Sequence, residues 1–362
     1  MSDSLKVKER IHYARLDALR FYAVAAVLLS HYLPTGLTSH LFAGTAGVEL
    51  FFVISGFLIT DILFGYRMSG PDTLRHLGRF YARRTLRIFP IYYLYLVVVA
   101  LTIPTVTWEE LRWAFAYVYN LYEMSNTASR PLLHLWSLSI EEQFYLIWPL
   151  VILKTPMRRV FHVMLGLMLF SILFRVVVPG LPHKLSTISC FDAFGLGGVF
   201  AWLRRYDPGT LRRLLGMRWT LWLALIWLAG TILTSFTAWS LPDAGFRSAI
   251  AVISFHLLGA CVPSDGRVLK ESSRWLDGRR RQYLGVISYG IYLFHLLPML
   301  WMEGWLERIL RPLSDAGIAS LIYYNRYIIG APFYAIFTLI LAMLSHRYIE
   351  RYFTRFKDRR FS

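Results

Sequence analysis

Stretches of about 18–20 mostly apolar residues, the length that crosses a bilayer as helix, recur along this 362-residue chain. They fall at 17–34, 47–66, 86–104, 135–153, 160–178, 187–203, 219–239, 245–262, 283–301 and 325–345. Inside hydrocarbon no water can satisfy a peptide N–H or C=O, so each such segment must bond its own backbone as helix. The expected fold is therefore an all-α integral membrane bundle of about ten transmembrane helices enclosing an intramembrane cavity. Composition agrees. Hydrophobic residues make up 56%, against about 45–50% in soluble domains.

A net charge of +17 would ordinarily raise the question of nucleic acid, but the placement of the charges answers it otherwise. If the N-terminus is inside, 29 of the 39 Lys and Arg residues fall in the inner segments. Five fall outside (Arg112, Arg130, Lys184, Arg308, Arg311) and five within the apolar stretches (Arg20, Arg87, Arg175, Arg247, Arg326). This is the positive-inside bias, and it predicts that both termini are cytoplasmic. The first stretch lacks a small-x-small cleavage pattern and carries Asp17 and Arg20, so it reads as retained rather than as a signal peptide. Cys190 and Cys261 are placed near opposite membrane faces, too far apart to pair, and no Cys/His spacing suits zinc.

No repeat, low-complexity tract or soluble domain interrupts the chain. It reads as one domain over 1–362: a cytoplasmic segment 1–16, a helical bundle 17–345 and a basic tail 346–362 resting on the anionic inner leaflet. The longest outer segment, 105–134, is rich in aromatic residues and too short to span, which places it in the interface.

Ionisable groups within such stretches are costly and mark candidate sites. Arg20 and His31 are eleven residues apart in the first stretch. At 100° and 1.5 Å per residue they share one helix face, roughly 16 Å apart in depth. A lone histidine on an apolar face is most often a packed, hydrogen-bonded residue, but a neutral imidazole in a cavity can also take the proton of a hydroxyl nucleophile. In the fourth stretch, His134, Ser137, Glu141, Tyr145 and Trp148 form one helical stripe, with Glu142 turned about 100° away. Glu141 is the candidate to orient a histidine or a substrate hydroxyl, and Glu142 to hold neighbouring helices. Arg84 and Arg87 share a face at i, i+3 at the inner mouth of the third stretch. Such a run commonly anchors topology, yet paired guanidiniums also suit phosphate oxygens, as on coenzyme A. The small residues around Gly47 and Gly56 allow close helix approach, with Glu49 a minor site candidate. Ser288, Tyr292 and His295 share a stripe in the ninth stretch that either lines the cavity or pairs polar groups between helices.

Five runs, in order, carry a resemblance: Asp17-x-Leu-Arg20 followed by Arg-x10-His to His31; Gly47-Val-x-Leu-Phe-Phe-x-x-Ser55-Gly56-Phe57; Arg84-x-x-Arg87-Ile-x-Pro90; Trp136-Ser-Leu-Ser-x-Glu141-Glu142-Gln143-Phe144-Tyr145; and Ser288-Tyr289-x-x-Tyr292-x-x-His295. Together they resemble the membrane acyltransferase-3 family over nearly the whole chain. The resemblance implies transfer of an acyl group, usually acetyl from acetyl-CoA, to a saccharide hydroxyl, as on O-antigen, exopolysaccharide or Nod factor, in the bacterial inner membrane. It makes His31 the essential histidine, Arg20 its motif partner, and Arg84 and Arg87 the second pair. The family's usual Asp-Gly-Leu-Arg-Gly is Asp17-Ala-Leu-Arg20-Phe21 here, bulkier beside the pathway. The SGNH hydrolase-like domain fused to some members is expected to be absent.

The resulting expectation is an O-acyltransferase. Arg84, Arg87 and Arg20 hold the acyl-CoA phosphates, His31 acts as base and Glu141 orients it. Glu142, Ser137, Tyr145, Tyr289, Tyr292, His295 and Glu49 line the cavity. No metal or permanently bound cofactor is expected; acyl-CoA is a donor substrate, the other partners are the acceptor glycoconjugate and the bilayer, and a homo-oligomer is left open. The rival class is a transporter of a glycan or acyl group through the same intramembrane charges.

Overall fold

The computed structural model describes residues 13–33, 42–70, 72–178, 181–235, 243–262, 274–313 and 319–361. Residues 1–12 and 263–273 and the side chains of Arg311 and Arg326 lie outside the described residues. All regular elements among the described residues are helical. They are α1 (Ala14–Tyr32), α2 (Ala43–Met68), α3 (Thr73–Thr102), α4 (Trp108–Phe115), α5 (Tyr119–Ser125), α6 (Leu135–Lys154), α7 (Met157–Val177), α8 (Phe191–Tyr206), α9 (Pro208–Gly216), α10 (Arg218–Thr234), α11 (Asp243–Cys261), α12 (Arg279–Val286), α13 (Ser288–Phe294), α14 (Leu296–Leu313), α15 (Ala319–Ser345) and α16 (Arg351–Phe361).

Four helical segments among the described residues are long and apolar enough to cross a membrane: α2, α3, α7 and Ile329–Phe356. A fifth is formed if α9 and α10, bent by 51°, count as one span. Helices that miss this test include the carriers of polar groups: α1 holds Arg15, Asp17 and Arg20, and α6 holds Glu141, Glu142 and Lys154. The predicted stretches are helical where described, but the ninth, 283–301, is not one helix. It breaks at Ile287 and at His295 into α12, α13 and α14. The second break follows from Pro298, which has no N–H for the carbonyl of Phe294 and whose ring crowds it.

The centre of the bundle is α2, which packs against α1, α6, α8 and α11. Its closest approach is to α8, where glycines face each other. A Cβ on Gly56 would lie 2.0 Å from the Phe194 carbonyl oxygen, and one on Gly197 would lie 2.1 Å from that of Val53. Without a hydrophobic driving force between helices in lipid, such backbone proximity is how packing is gained. A third contact joins α12 to α1: a Cβ on Gly285 would fall 1.6 Å from the Asp17 carbonyl oxygen. The tail does not lie free. Helix α16 and the π-turn His346–Glu350 pack back on α3, leaving Tyr348, Tyr352 and Phe356 exposed.

Segment 105–134 folds through Glu110. Thr107 and Glu110 form a reciprocal capping box at the start of α4, and Ser129 donates to Glu110 from both its N–H and its hydroxyl at 2.8 Å. Burial alone would push the Glu110 carboxyl up, but the hydrogen bonds from Thr107 and Ser129 outweigh it and hold the carboxyl below the usual range. A lowered carboxyl stabilises the fold above the ordinary carboxylate pKa, and that stabilisation is lost as pH falls through the lowered value. Hydrogen exchange across 105–134 is therefore expected to quicken in acid for the wild type, and to be fast already at neutral pH in Glu110→Ala.

Gly197→Leu is expected to give no monodisperse protein in detergent, because the added side chain meets backbone rather than a movable side chain. Gly166→Ala, where nothing lies within 4 Å of the new Cβ, is expected to elute and melt as wild type.

Candidate active site

Two clefts adjoin inside the bundle. The first, of about 90 Å³, brings together Arg20 of α1, Arg84 and Arg87 of α3, and Glu141 and Glu142 of α6. The second, of about 360 Å³, is lined by His31, His134, Trp136, Glu123 and Lys184 among others. Val48 and Tyr292 line both, so the clefts meet at that pair of side chains. Helix α1 runs past both, with Arg20 on the first and His31 on the second. The eleven-residue spacing thus separates two environments rather than marking one pocket.

In the first cleft, Arg84 stacks over the Tyr145 ring at 4.5 Å, a cation–π contact. Arg20 pairs with Asp17 at 3.2 Å. Glu141 is held by donation from the hydroxyls of Ser55 and Tyr145. Glu142 lies on the same cleft wall, so the 100° offset between the two glutamates does not separate their roles as predicted. Ser137, Tyr145, Ser288, Tyr289 and Tyr292 line this cleft too. Ser137 and Tyr292 are hydrogen-bonded at 2.5 Å.

Glu141 is not brought to His31, the partner assigned to it from sequence. The nearest ring to His31 is that of His295, 4.9 Å between centres. His295 is fully buried and reaches the second cleft's wall through this contact. Glu49 lines neither cleft. Its carboxylate is locked to Arg247 of α11, with Nε of Arg247 at 2.5 Å. A second buried pair, Arg175 of α7 with Asp192 of α8, is bidentate at 2.5 and 2.8 Å and accepts further support from Ser248. The Cys190 thiol sits 3.0 Å from Arg247, and both cysteines are free.

Sequence reasoning passed over His134, Glu123, Lys184 and Trp136 as parts of the His31 environment. His134 sat in the helical stripe with Ser137 and was the available signal. Glu123 and Lys184 come from segments far apart in sequence and approach to 4.0 Å only in the fold. Burial pushes the Glu123 carboxyl up to about 7, against the opposing pull of Lys184.

An arginine-lined cleft joins a histidine-lined one among apolar helices long enough to cross a membrane several times. The Acyltransferase domain family profile matches residues 13–347, and the chain belongs to this acyltransferase-3 family. Membership in a family of acyltransferase domains weighs for the enzyme and against the transporter. The chain is 28% identical to the peptidoglycan O-acetyltransferase OatA of Listeria monocytogenes, over 98% of its own length and 60% of that protein's. It is equally identical to the O-acetyltransferase OatA of Staphylococcus aureus, over 92% of its length and 56% of the relative's. The chain therefore spans somewhat over half the length of these curated relatives. No solved structure matches it.

Removing one partner of a buried ion pair leaves an uncompensated charge, at a cost of about 3–5 kcal/mol. Arg247→Met is accordingly expected to lower the melting temperature in detergent sharply. Adding Glu49→Gln to it should recover most of the loss, and a double variant no better than the single would contradict the pairing.

Proposed function

We propose that the protein transfers an acetyl group from acetyl-CoA, entering from the cytoplasmic side, to a hydroxyl of a saccharide presented at the outer side. The observation that carries this reading is the junction of the two clefts at Val48 and Tyr292, with three arginines on one side and His31 on the other. Coenzyme A has its phosphates at one end and its thioester at the other. Its pantetheine arm is roughly 15–20 Å long by its bond lengths, comparable to the rise of roughly 16 Å from Arg20 to His31 along α1.

In this mechanism Arg20, Arg84 and Arg87 hold the phosphates, which their planar, charge-assisted donors suit. The arm passes Tyr292 and brings the thioester carbonyl to His31. His31 takes the proton of the acceptor hydroxyl as its oxygen attacks that carbonyl. Glu141, fixed by Ser55 and Tyr145, stays in the donor cleft and balances the arginines there. The acceptor approaches through the second cleft, past Glu123, Lys184 and Trp136. The name of the Listeria relative makes a cell-wall glycan the first acceptor to test.

The topology that fits is ten crossings with both termini cytoplasmic, in a bacterial inner membrane. It follows from the distribution of Lys and Arg. The exposed aromatics and arginines of the tail, Tyr348, Arg351, Tyr352 and Phe356 among them, then rest at the inner leaflet beside the donor cleft.

His31→Ala is expected to abolish release of free CoA from acetyl-CoA plus acceptor while leaving acetyl-CoA binding intact. Arg84→Ala and Arg87→Ala are expected to raise KM for acetyl-CoA about tenfold each, the effect of losing one charge-assisted contact. Wild-type turnover in His31→Ala would overturn the assignment.

A further inference from the structure

Two residues other than glycine hold a positive φ among the described residues, Phe42 at 49° and Tyr117 at 55°. Each lines one of the two clefts, Phe42 the histidine-lined one and Tyr117 the arginine-lined one. A bulky side chain rarely adopts this left-handed backbone, and it persists only where the surrounding structure imposes it. Tyr117 takes no part in the mechanism above, so its backbone needs its own explanation.

The turn between α4 and α5 is held from several sides. The N–H of Tyr117 donates to the Ala114 carbonyl at 3.0 Å, and that of Val118 to the Trp113 carbonyl at 3.1 Å. From α3, the hydroxyls of Tyr92 and Tyr93 donate to the carbonyls of Ala114 and Phe115 at 2.8 and 3.1 Å. From α6, Nε2 of Gln143 donates to the Tyr117 carbonyl at 3.0 Å. The Tyr117 ring is fixed as well. It stacks on Tyr92 at 4.1 Å and on Phe89 at 5.3 Å between centres, and Tyr93 meets it edge-on at 6.1 Å.

These contacts satisfy the backbone and clamp the ring, and they leave out one group. The Tyr117 hydroxyl is buried and makes no hydrogen bond to any described residue. A buried polar group in that condition is unfavourable, and native folds seldom tolerate it without a reason. Burial pushes the phenol up, and Tyr289 and Glu142, which line the same cleft, push it the same way. The group therefore stays an O–H, able to donate.

Its level in the bundle follows from α6. Ser137 is bonded to Tyr292 where the clefts meet, Gln143 holds Tyr117, and Tyr145 lies under Arg84. From Ser137 to Gln143 the helix rises about 9 Å, and about 3 Å more reaches Tyr145. Tyr117 is thus anchored between the junction and the arginine end. A molecule laid from the arginines to His31 passes it with its middle, not with its phosphates or its thioester. In coenzyme A that middle is the pantetheine arm, whose amide carbonyls accept hydrogen bonds.

We propose that Tyr117 is a donor-binding residue whose hydroxyl donates a hydrogen bond to an amide carbonyl of the pantetheine arm of acyl-CoA. This rests on the reading of the arginine-lined cleft as the donor site. The left-handed turn, the stacked ring and Gln143 hold the hydroxyl in place before the donor arrives, which lowers the cost of binding. The ligand then supplies the partner that the fold withholds.

Tyr117→Phe removes the hydroxyl and keeps the stack. KM for acetyl-CoA is expected to rise about fivefold, the share of one neutral hydrogen bond. The kcat should be unchanged, because the contact is made equally before and in the transition state. Melting in detergent without ligand should be no lower than wild type, since no bond of the free protein is lost. In competition with acetyl-CoA, pantetheine should be about fivefold weaker against the variant than against wild type. Adenosine 3′,5′-bisphosphate, which has phosphates but no arm, should compete equally with both.

An unchanged KM overturns the proposal, and so does a loss confined to adenosine 3′,5′-bisphosphate, which would put the hydroxyl on the phosphates. A lowered melting temperature with KM unchanged, or failure of Tyr117→Phe to fold, gives the hydroxyl a structural partner and equally overturns it. If pantetheine alone does not compete with the wild type, KM for acetyl-CoA decides. CoA binding separates the two levels. A wild type that does not bind CoA removes the donor-site reading together with the role of Tyr117, whereas equal binding by wild type and Tyr117→Phe removes that role alone.

Discussion

An ionised group inside a membrane bundle has to be matched by an opposite charge or placed at a cavity, and the interior of this protein is sorted by that requirement. Arg247 with Glu49, and Arg175 with Asp192, are locked pairs that tie α11 to α2 and α7 to α8. Arg20, Arg84, Arg87, Glu141 and Glu142 instead gather around one cleft. The locked pairs stiffen the helices around α2. The gathered ones leave the bundle a charged opening lined by both signs of charge.

Backbone proximity makes this sorting possible. The facing glycines Gly56 and Gly197 let α2 and α8 approach at main-chain distance, which keeps the side of α2 that carries Val48, Phe51 and Ser55 at the clefts. Gly285 does the same for α12 against α1. Pro298 acts in the opposite sense by ending α13, and so leaves His295 at a helix break beside His31. Tight contact and a deliberate interruption together bring the arginine-lined and the histidine-lined cleft to a common wall at Val48 and Tyr292.

Much of this was legible in the residues. The apolar stretches announced helices, and the i, i+3 spacing of Arg84 and Arg87 announced a shared face that the fold points into a cleft. The family resemblance rested on motifs that the profile match then covered. Periodicity could not show that Pro298 outweighs the helical pattern of 283–301, because a local backbone conflict is invisible to a count of apolar positions. Nor could it show that Glu141 would be claimed by Ser55 and Tyr145 instead of His31, since Ser55 is on another helix. Glu49 looked like a site residue for the same reason: its partner Arg247 is 198 residues away in sequence. Partners drawn from distant helices are set by packing, and one sequence by itself does not contain them.

The central claim is that a single acyl-CoA lies across both clefts, phosphates on the arginines and thioester at His31. A cryo-electron microscopy map of the protein with a non-transferable thioether analogue of acetyl-CoA tests it most directly. The account predicts density for the phosphates against Arg20, Arg84 and Arg87, with the sulfur beyond Tyr292 beside His31. Density for the nucleotide in the His31 cleft, or anywhere outside the arginine cleft, would contradict it.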